Sequence, residues 1–152
     1  EAIRDLDCEI KLCVIGVAEE YHDQLKSLLN ETNVSYELYG YICPDVIFQK
    51  MRESEIFCVP SKFEAFGVAN LEAMAMACKI VTTNIGGIPE AVGGDRFAWL
   101  VEPDNSIALR HALQRALNSS IKDRLNEISG HLRNFSSANV ISRFKSILET
   151  CF

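Results

Sequence analysis

Short apolar runs alternate with helically spaced stretches along most of the chain. The run KLCVIG, residues 11–16, is apolar after its lysine and ends in glycine, as in a strand that is buried on both faces. The next stretch, AEEYHDQLKSLLNE, places Tyr21, Leu25, Leu28 and Leu29 at the spacing of one helix face. Strands that alternate with helices predict an α/β fold, in which helices cover both faces of a parallel sheet.

The later elements continue this alternation. Strands are predicted over residues 35–41, 56–61, 80–83 and 97–102, and helices over 45–54, 68–79 and near 89–92. From residue 105 the chain is predicted to be helical, with breaks near 118–120 and 134–137. Because no repeat, low-complexity run or internal linker interrupts the pattern, we expect one Rossmann-like domain over residues 1–152, with a helical tail from about 105.

The composition excludes some classes of partner. The 152 residues are 48% hydrophobic, which is enough for one buried core. The net charge is −6 and no basic run occurs, so a nucleic-acid-binding surface is not expected. No apolar run reaches the roughly 18 residues of a membrane span, and the charged N-terminus has no apolar signal-peptide core, which predicts a cytoplasmic protein. Because the chain starts at Glu1 rather than at methionine, we also expect it to be part of a longer protein.

The cysteine and histidine patterns predict neither a disulfide framework nor a metal site. The cysteines are scattered through apolar patterns without a CxxC pair, so we expect buried free thiols. The histidines His22, His111 and His131 lie on predicted helices and are expected at the surface. The six cysteines are Cys8, Cys13, Cys43, Cys58, Cys78 and Cys151.

The segment PSKFEAFGVANLE, residues 60–72, joins a predicted strand to a predicted helix. The carboxyl ends of parallel strands form the edge of the sheet where ligands bind. Gly67 permits a close backbone approach, and the first helical amides, on Val68 and Ala69, suit a diphosphate. Glu64 and Glu72 lie on either side of these amides, where their carboxylates suit vicinal hydroxyls. The spacing therefore fits a nucleoside diphosphate with a polyol at each end.

These residues also have plainer interpretations. A glutamate such as Glu72 in an alanine-rich helix is more often solvated, and a glutamate near a helix start often only complements the helix dipole. Phe66 is equally well read as an ordinary core residue, and the segments GGIPE and VGGD as plain turns. Their occurrence together is what favours a binding site.

Most of the chain, from KLCVIG to the C-terminal helices, resembles a known family, and residues 54–105 combine its most specific motifs. Glu64 and Glu72 enclose Phe66-Gly67, with Pro60-Ser61 before them and Gly86-Gly87 after them. This pattern resembles the C-terminal, donor-binding half of retaining GT-B glycosyltransferases of family 4, the group 1 glycosyl transferases. The resemblance implies retaining transfer of a hexose from a nucleotide-diphosphate sugar, of the UDP or GDP type, to a glycan or lipid-linked acceptor. It implies no metal and no further cofactor.

The resemblance also implies a role for each matching residue. Glu64 would bond to hydroxyls of the donor sugar as the catalytic residue, and Glu72 would bind the ribose hydroxyls. Ser61 lies in the loop that would set the choice of sugar. The backbone groups would come from two further sets: Phe66, Gly67, Val68 and Ala69 at the diphosphate and sugar, and Gly40, Tyr41 and Ile42 under the nucleobase.

The chain also departs from the family pattern. Nothing before KLCVIG matches the first strand of the family or its Arg-Lys loop, and the N-terminal domain that binds the acceptor is missing, so we expect the isolated chain to be inactive. The runs KLCVIG and IFCVPS are then expected either to pair directly or to leave a slot between them. A lipid-linked acceptor would place the full-length protein at the periphery of a membrane.

Smaller departures follow the second glutamate. Ala77 stands where the family has glycine, which is a mild change, and Lys79 replaces a proline, which predicts a less rigid entry into the next strand. The apolar residues of the helical tail would face the missing domain and would be exposed or dimerised in its absence. They are Phe135, Val140, Phe144 and Leu148.

Two other functions stay open. One is a non-catalytic interaction module with a vestigial sugar-nucleotide site, because a fold alone does not establish function. The other is a fragment of a nucleotide-sugar epimerase of similar architecture. The joint presence of Glu64, Gly67 and Glu72 favours the transferase over both.

Overall fold

The computed structural model describes residues 1–3, 6, 8–32 and 34–151, without the side chains of residue 144 and of residues 147–151. In this part of the chain, strands and helices alternate as the sequence predicts, so the α/β fold is confirmed. The strands are β1 (Lys11–Ile15), β2 (Ser35–Tyr39), β3 (Ile56–Val59), β4 (Lys79–Thr83) and β5 (Ala98–Val101). The helices are α1 (His22–Asn30), α2 (Pro44–Glu53), α3 (Val68–Ala75), α4 (Ile88–Val92), α5 (Ser106–Leu117), α6 (Leu125–Arg133) and α7 (Ser137–Cys151).

All strand pairs in the described residues are parallel, and they form two separate sheets. Strand β1 pairs with β2, from Lys11 opposite Ser35 onward. Strand β4 lies between β3 and β5. Within the described residues, β1 neither pairs with β3 nor shares a neighbouring strand with it. Direct pairing of KLCVIG (β1) with IFCVPS (β3), one of the two expected arrangements, is therefore not observed.

Strand β4 separates two apolar clusters. Its residues are buried throughout, and consecutive side chains point to opposite faces of the sheet. Ile80 joins a cluster with residues of α3, α4 and α6. Val81 joins a second cluster with Leu113 and Ala116 of α5. Helices thus cover both faces of the three-stranded sheet, and the loops at its carboxyl edge rest on a packed layer.

The cysteines are less buried than the sequence predicts. The five described cysteines are free thiols, but Cys8, Cys43 and Cys58 are exposed and Cys13 is half-buried. The expectation of burial is wrong for these residues, because an apolar run does not reveal which of its faces the tertiary structure covers. Cys78 is buried as predicted, donates its Sγ hydrogen to the Met51 carbonyl over 3.0 Å, and has a pKa that burial raises to about 11. The side chain of Cys151 lies outside the described residues.

Lys79 is a buried lysine that fixes the start of β4. Its backbone N–H donates to the Glu55 carbonyl over 3.0 Å, a bond that proline cannot form. Its Nζ bonds to the Glu55 carboxylate over 2.5 Å and to the Ala116 carbonyl over 2.8 Å. This lysine thus ties the strand both to the residue before β3 and to the end of α5, contacts that the sequence did not predict.

Ala77 adopts the left-handed conformation just after α3, with φ of 64°. This conformation costs an L-residue about 1–2 kcal/mol, so alanine in place of the family's glycine is a less mild change than the sequence suggests. We expect Ala77→Gly to raise the free energy of unfolding by about 0.5–1 kcal/mol, since glycine also has more freedom in the unfolded chain. Urea denaturation measures the change.

The control for this substitution is Ala75→Gly, at the exposed end of α3. There the backbone is helical, so glycine should destabilise the protein by about 0.5–1 kcal/mol. Equal losses of stability in the two variants would show that the left-handed conformation of Ala77 carries no strain.

The C-terminal helices follow the predicted pattern of the tail, with breaks at 118–121 and 134–136. The expectation that Phe135 is exposed is wrong: this side chain is half-buried and contacts other aromatic rings. Val140 is exposed as expected, at 50%. The side chains of Phe144 and Leu148 lie outside the described residues. Phe135 thus connects the tail to the rest of the fold.

Candidate functional site

The junction between β3 and α3 is built around a glycine that no other residue can replace without strain. Gly67 is the residue before α3 and has φ of 82°. A Cβ atom at Gly67 would lie 2.7 Å from Asn70 Nδ2 and 3.0 Å from Ile88 Cγ1. The turn is therefore closely packed from behind, and α3 begins at Val68 as the sequence predicts.

The backbone amides of this junction fall into two groups. The carboxylate of Glu64 accepts hydrogen bonds from the N–H of Phe66 over 3.3 Å and from the N–H of Gly67 over 3.1 Å. The next two amides, of Val68 and Ala69, have no protein acceptor in the described part of the chain. Amides in the first turn of a helix lack intrahelical partners and attract negative charge. The position of Glu64 shows that this junction accommodates an anionic group.

The Gly86-Gly87 turn supports the same loop from the other side. The N–H of Gly87 donates to the Ala65 carbonyl over 2.8 Å. Gly86 has φ of 51°, and a Cβ atom on it would lie 2.1 Å from the carbonyl oxygen of Glu64. The two glycines are thus required for contact with the loop, and the interpretation of GGIPE as a plain turn does not account for them.

Two buried threonines on β4 fix the end of β3. Thr83 Oγ1 donates to the Ser61 carbonyl over 2.7 Å, and Thr82 Oγ1 donates to the Val59 carbonyl over 2.9 Å. Both threonines are almost fully buried, so these bonds satisfy hydroxyl groups that have no access to water. Ser61, a predicted site residue, is therefore held at the start of the loop that carries Glu64.

Helix α3 carries two side chains with a polar group that has no partner among the described residues. Glu72 is half-buried, and its carboxylate forms no hydrogen bond or ion pair with the described residues. Asn70 is 1% exposed, and its Oδ1 atom has no protein partner among them. Sequence reasoning singled out Glu72 but missed Asn70, because a single asparagine in a helix gives no signal that it is buried.

A cavity of about 550 Å³ lies against this loop. It is shallow and largely open to solvent. Lys62, which the sequence analysis also missed, lines the cavity, and its Nζ pairs with the Asp104 carboxylate at 2.5 Å. The cavity therefore has both a cation and the Glu64 carboxylate on its wall. Its lining residues are Lys62, Phe63, Glu64, Ala65, Ile85 and Gly86.

The predicted nucleobase residues lie at the carboxyl end of β2. The N–H of Gly16 donates to the carbonyls of Tyr39 and Gly40, each over 3.1 Å, which joins the ends of β1 and β2. Tyr41 is 88% exposed, and Gly40 and Ile42 are half-buried. Within the described residues, no hydrogen bond or ion pair links this turn to the 61–72 segment.

The histidines are more involved in structure than the sequence suggests. His22 Nε2 lies 3.0 Å from the Val17 carbonyl, and His131 Nε2 lies 2.7 Å from the Ala91 carbonyl, with both rings half-buried. The expectation of surface positions is wrong for these two and confirmed for His111. Among the described residues, no three His, Cys, Asp or Glu side chains cluster as metal ligands.

Two other features of the described chain bear on where a ligand binds. A second cleft, of about 740 Å³, runs along β5 and is lined by residues such as Trp99, His111 and Arg115. It is larger than the first, but it contains none of the predicted site residues, so we place the candidate site at the Glu64 loop. No helix in the described residues combines the length and the apolar character needed to cross a bilayer.

Comparisons with known proteins identify relatives of this chain. A family model described as glycosyl transferases group 1 matches residues 1–119. The chain is 31% identical over 124 residues to an alpha-maltose-1-phosphate synthase of Mycolicibacterium smegmatis, covering 77% of this chain and 32% of the relative. It is 30% identical over 120 residues to an uncharacterized glycosyltransferase of Methanocaldococcus jannaschii, covering 78% of this chain and 33% of the relative. The chain thus spans about a third of the length of these curated relatives.

Solved structures of low identity share the fold. The sucrose-phosphate synthase of Thermosynechococcus elongatus has a TM-score of 0.71 at 19% identity, covering 96% of this chain and 47% of that one. The structure of Anabaena HepE in complex with UDP has a TM-score of 0.69 at 20% identity, covering 99% of this chain and 43% of that one. The fold matches the C-terminal domain of GT-B glycosyltransferases. Because the family model covers most of the chain, this protein belongs to the glycosyl transferases group 1 family.

Proposed function

We propose that this chain is the domain of a glycosyltransferase that binds the nucleotide-sugar donor. The proposal depends mainly on one arrangement: along the chain, the open amides of Val68 and Ala69 lie between two carboxylates. These are Glu64 on the loop and Glu72 on the helix, which has no partner among the described residues. The family assignment supports it. So does the likeness in fold to HepE, whose structure contains UDP.

In this proposal the diphosphate of the donor binds at the start of α3. The amides of Val68 and Ala69 donate to it directly. When the donor binds, the Glu64 carboxylate releases the amides of Phe66 and Gly67 and turns to the sugar hydroxyls. The two released amides then also face the diphosphate and the sugar. The ion pair of Lys62 is exposed on both partners, so this lysine is free to exchange Asp104 for a phosphate.

The two ends of the donor bind to the remaining predicted residues. Glu72 accepts hydrogen bonds from the ribose hydroxyls, for which a half-buried carboxylate with no partner in the described part of the chain is suited. Gly40, Tyr41 and Ile42 contact the nucleobase, and Ser61 lies in the loop that contacts the sugar. The donor is of the UDP or GDP type.

The reaction we propose is retaining transfer of a hexose, as in glycosyltransferase family 4. Backbone amides and Lys62 would stabilise the negative charge that develops on the leaving diphosphate. Because the chain spans about a third of its relatives, the acceptor, a glycan or a lipid-linked glycan, would bind to another domain. We propose that the whole enzyme acts in the cytoplasm, at the periphery of a membrane where the acceptor is lipid-linked.

Titration calorimetry with UDP, GDP and ADP tests the donor site. We expect one nucleotide to bind, and Glu72→Ala to weaken its binding by about 1–3 kcal/mol, since a hydrogen bond to a charged group is lost. The matched control is Glu9→Ala, which removes the same charge at an exposed position before the amino end of β1, away from the carboxyl edge where the site lies. Equal weakening in both variants would contradict the role of Glu72. Absence of heat with all three nucleotides would favour the non-catalytic interaction module.

A further inference from the structure

A series of aromatic rings connects the C-terminal helices to the loop of the candidate site. The rings of Phe66 and Phe135 are 5.7 Å apart and tilted by 59°. Phe135 meets His131 edge to face at 5.2 Å, and His131 meets Phe97 at 5.4 Å. Tilted pairs at these separations are mutually attractive. Phe66, which lies in the Glu64 loop, is thereby connected to residues far along the chain.

The far end of this series is fixed in the core. Phe97 is 8% exposed, and the His131 ring lies 2.7 Å from the Ala91 carbonyl through Nε2, which must donate because a carbonyl only accepts. A Cβ atom at Gly93 would lie 2.7 Å from the Phe97 ring and 3.2 Å from His131. The rings therefore have little room to move, and the turn that follows α6 presents Phe135 at a defined position.

The other end of the series, at Phe66, determines where the backbone of the Glu64 loop lies. Phe66 packs against Gly87, where an added Cβ atom would approach its ring to 2.8 Å, and against Phe135. The N–H of the same residue is one of the two that bond to the Glu64 carboxylate. A shift of the Phe66 ring therefore moves an amide that faces the proposed diphosphate.

From these contacts we infer that Phe135 is a positioning residue of the donor site. It touches no part of the proposed ligand position, but it holds the ring of Phe66 and so keeps the Glu64–Gly67 turn in place before the ligand arrives. Ordering a loop in advance removes an entropic cost from binding. The inference rests on the proposed function, since it assigns a supporting residue to that same site.

The test compares Phe135→Ala, Phe135→Tyr and a control, Leu113→Ala, in which a buried residue of α5 is truncated in the other apolar cluster. We expect Phe135→Ala to bind the nucleotide about fivefold to tenfold more weakly, as the loss of one ordered side chain implies. Phe135→Tyr keeps the ring and should retain the affinity to within about twofold. Leu113→Ala should destabilise the fold at least as much as Phe135→Ala, yet bind like the unmodified chain while it is folded.

A second measurement does not need a ligand. Hydrogen exchange of the Phe66 and Gly67 amides, measured without nucleotide, should be faster in Phe135→Ala than in the unmodified chain and unchanged in Leu113→Ala. Unchanged exchange in Phe135→Ala, or the same affinity loss in Leu113→Ala, would overturn the inference. If the unmodified chain binds no nucleotide, the proposed function fails, and the exchange rates alone then decide whether Phe135 positions the loop.

Discussion

Gly86→Ala is expected to lower the free energy of unfolding by about 2–5 kcal/mol and to abolish nucleotide binding. The added Cβ atom would lie 2.1 Å from the carbonyl oxygen of Glu64 and 3.2 Å from that of Ala65, so the loop must move. Overpacking of this kind costs about 1–3 kcal/mol, and the positive φ of 51° adds about 1–2 kcal/mol for an L-residue. Urea denaturation gives the stability and calorimetry the affinity.

Gly94→Ala separates these two contributions. Gly94 also has a positive φ, of 62°, but a Cβ atom there would meet nothing within 4 Å. The variant should therefore lose only the conformational part, about 1–2 kcal/mol, and should bind nucleotide normally. If Gly94→Ala were as destabilising as Gly86→Ala, contact between the Gly86-Gly87 turn and the Glu64 loop would have no energetic role.

Lys79→Met should lower the free energy of unfolding by about 2–3 kcal/mol, because the Ala116 carbonyl and the Glu55 carboxylate lose a charged donor. The loss of stability stays moderate because the Glu55 side chain is 63% exposed, so water can solvate its carboxylate in the variant. Thermal or urea denaturation checks it. Nucleotide affinity should not change while the variant is folded, since Lys79 lies at the amino end of β4 and the site lies at the carboxyl edge.

The control for Lys79 is Lys11→Met, on the other sheet. Lys11 bonds to Glu37 at the same distance, 2.5 Å, but its side chain is 62% exposed. An exposed ion pair contributes little, so this variant should change stability far less than Lys79→Met. Similar effects in the two variants would contradict the view that burial makes Lys79 important.

The sequence predicts the parts of this fold that depend on local pattern. Short runs rich in apolar or aromatic residues predict the strands of both sheets, and the order of residues around Glu64 predicts the start of α3 and a close backbone approach at Gly67. Each of these features depends on spacing over a few residues. The sequence therefore also locates the loop in which the predicted site residues Glu64, Phe66 and Gly67 lie together.

The features that the sequence does not predict depend on contacts between distant residues. Lys79 is buried because Glu55 and Ala116 meet its ammonium group, and His131 is half-buried because the Ala91 carbonyl accepts its hydrogen. Cys58 lies in an apolar run but is exposed. The sequence does not predict this exposure, because an apolar run does not reveal which of its faces the rest of the fold covers. The bonds from Phe66 and Gly67 to Glu64 depend on backbone geometry, which residue types alone do not specify.

The most direct test of the donor site is an NMR titration of the ¹⁵N-labelled chain with UDP, which locates binding at individual amides. The proposal predicts that the largest shift changes occur at Val68 and Ala69, which gain an acceptor, and at Phe66 and Gly67, which exchange the Glu64 carboxylate for the ligand. Largest changes along the β5 cleft, at Trp99 and His111, would contradict it. So would an unchanged spectrum with UDP and equally with GDP and ADP.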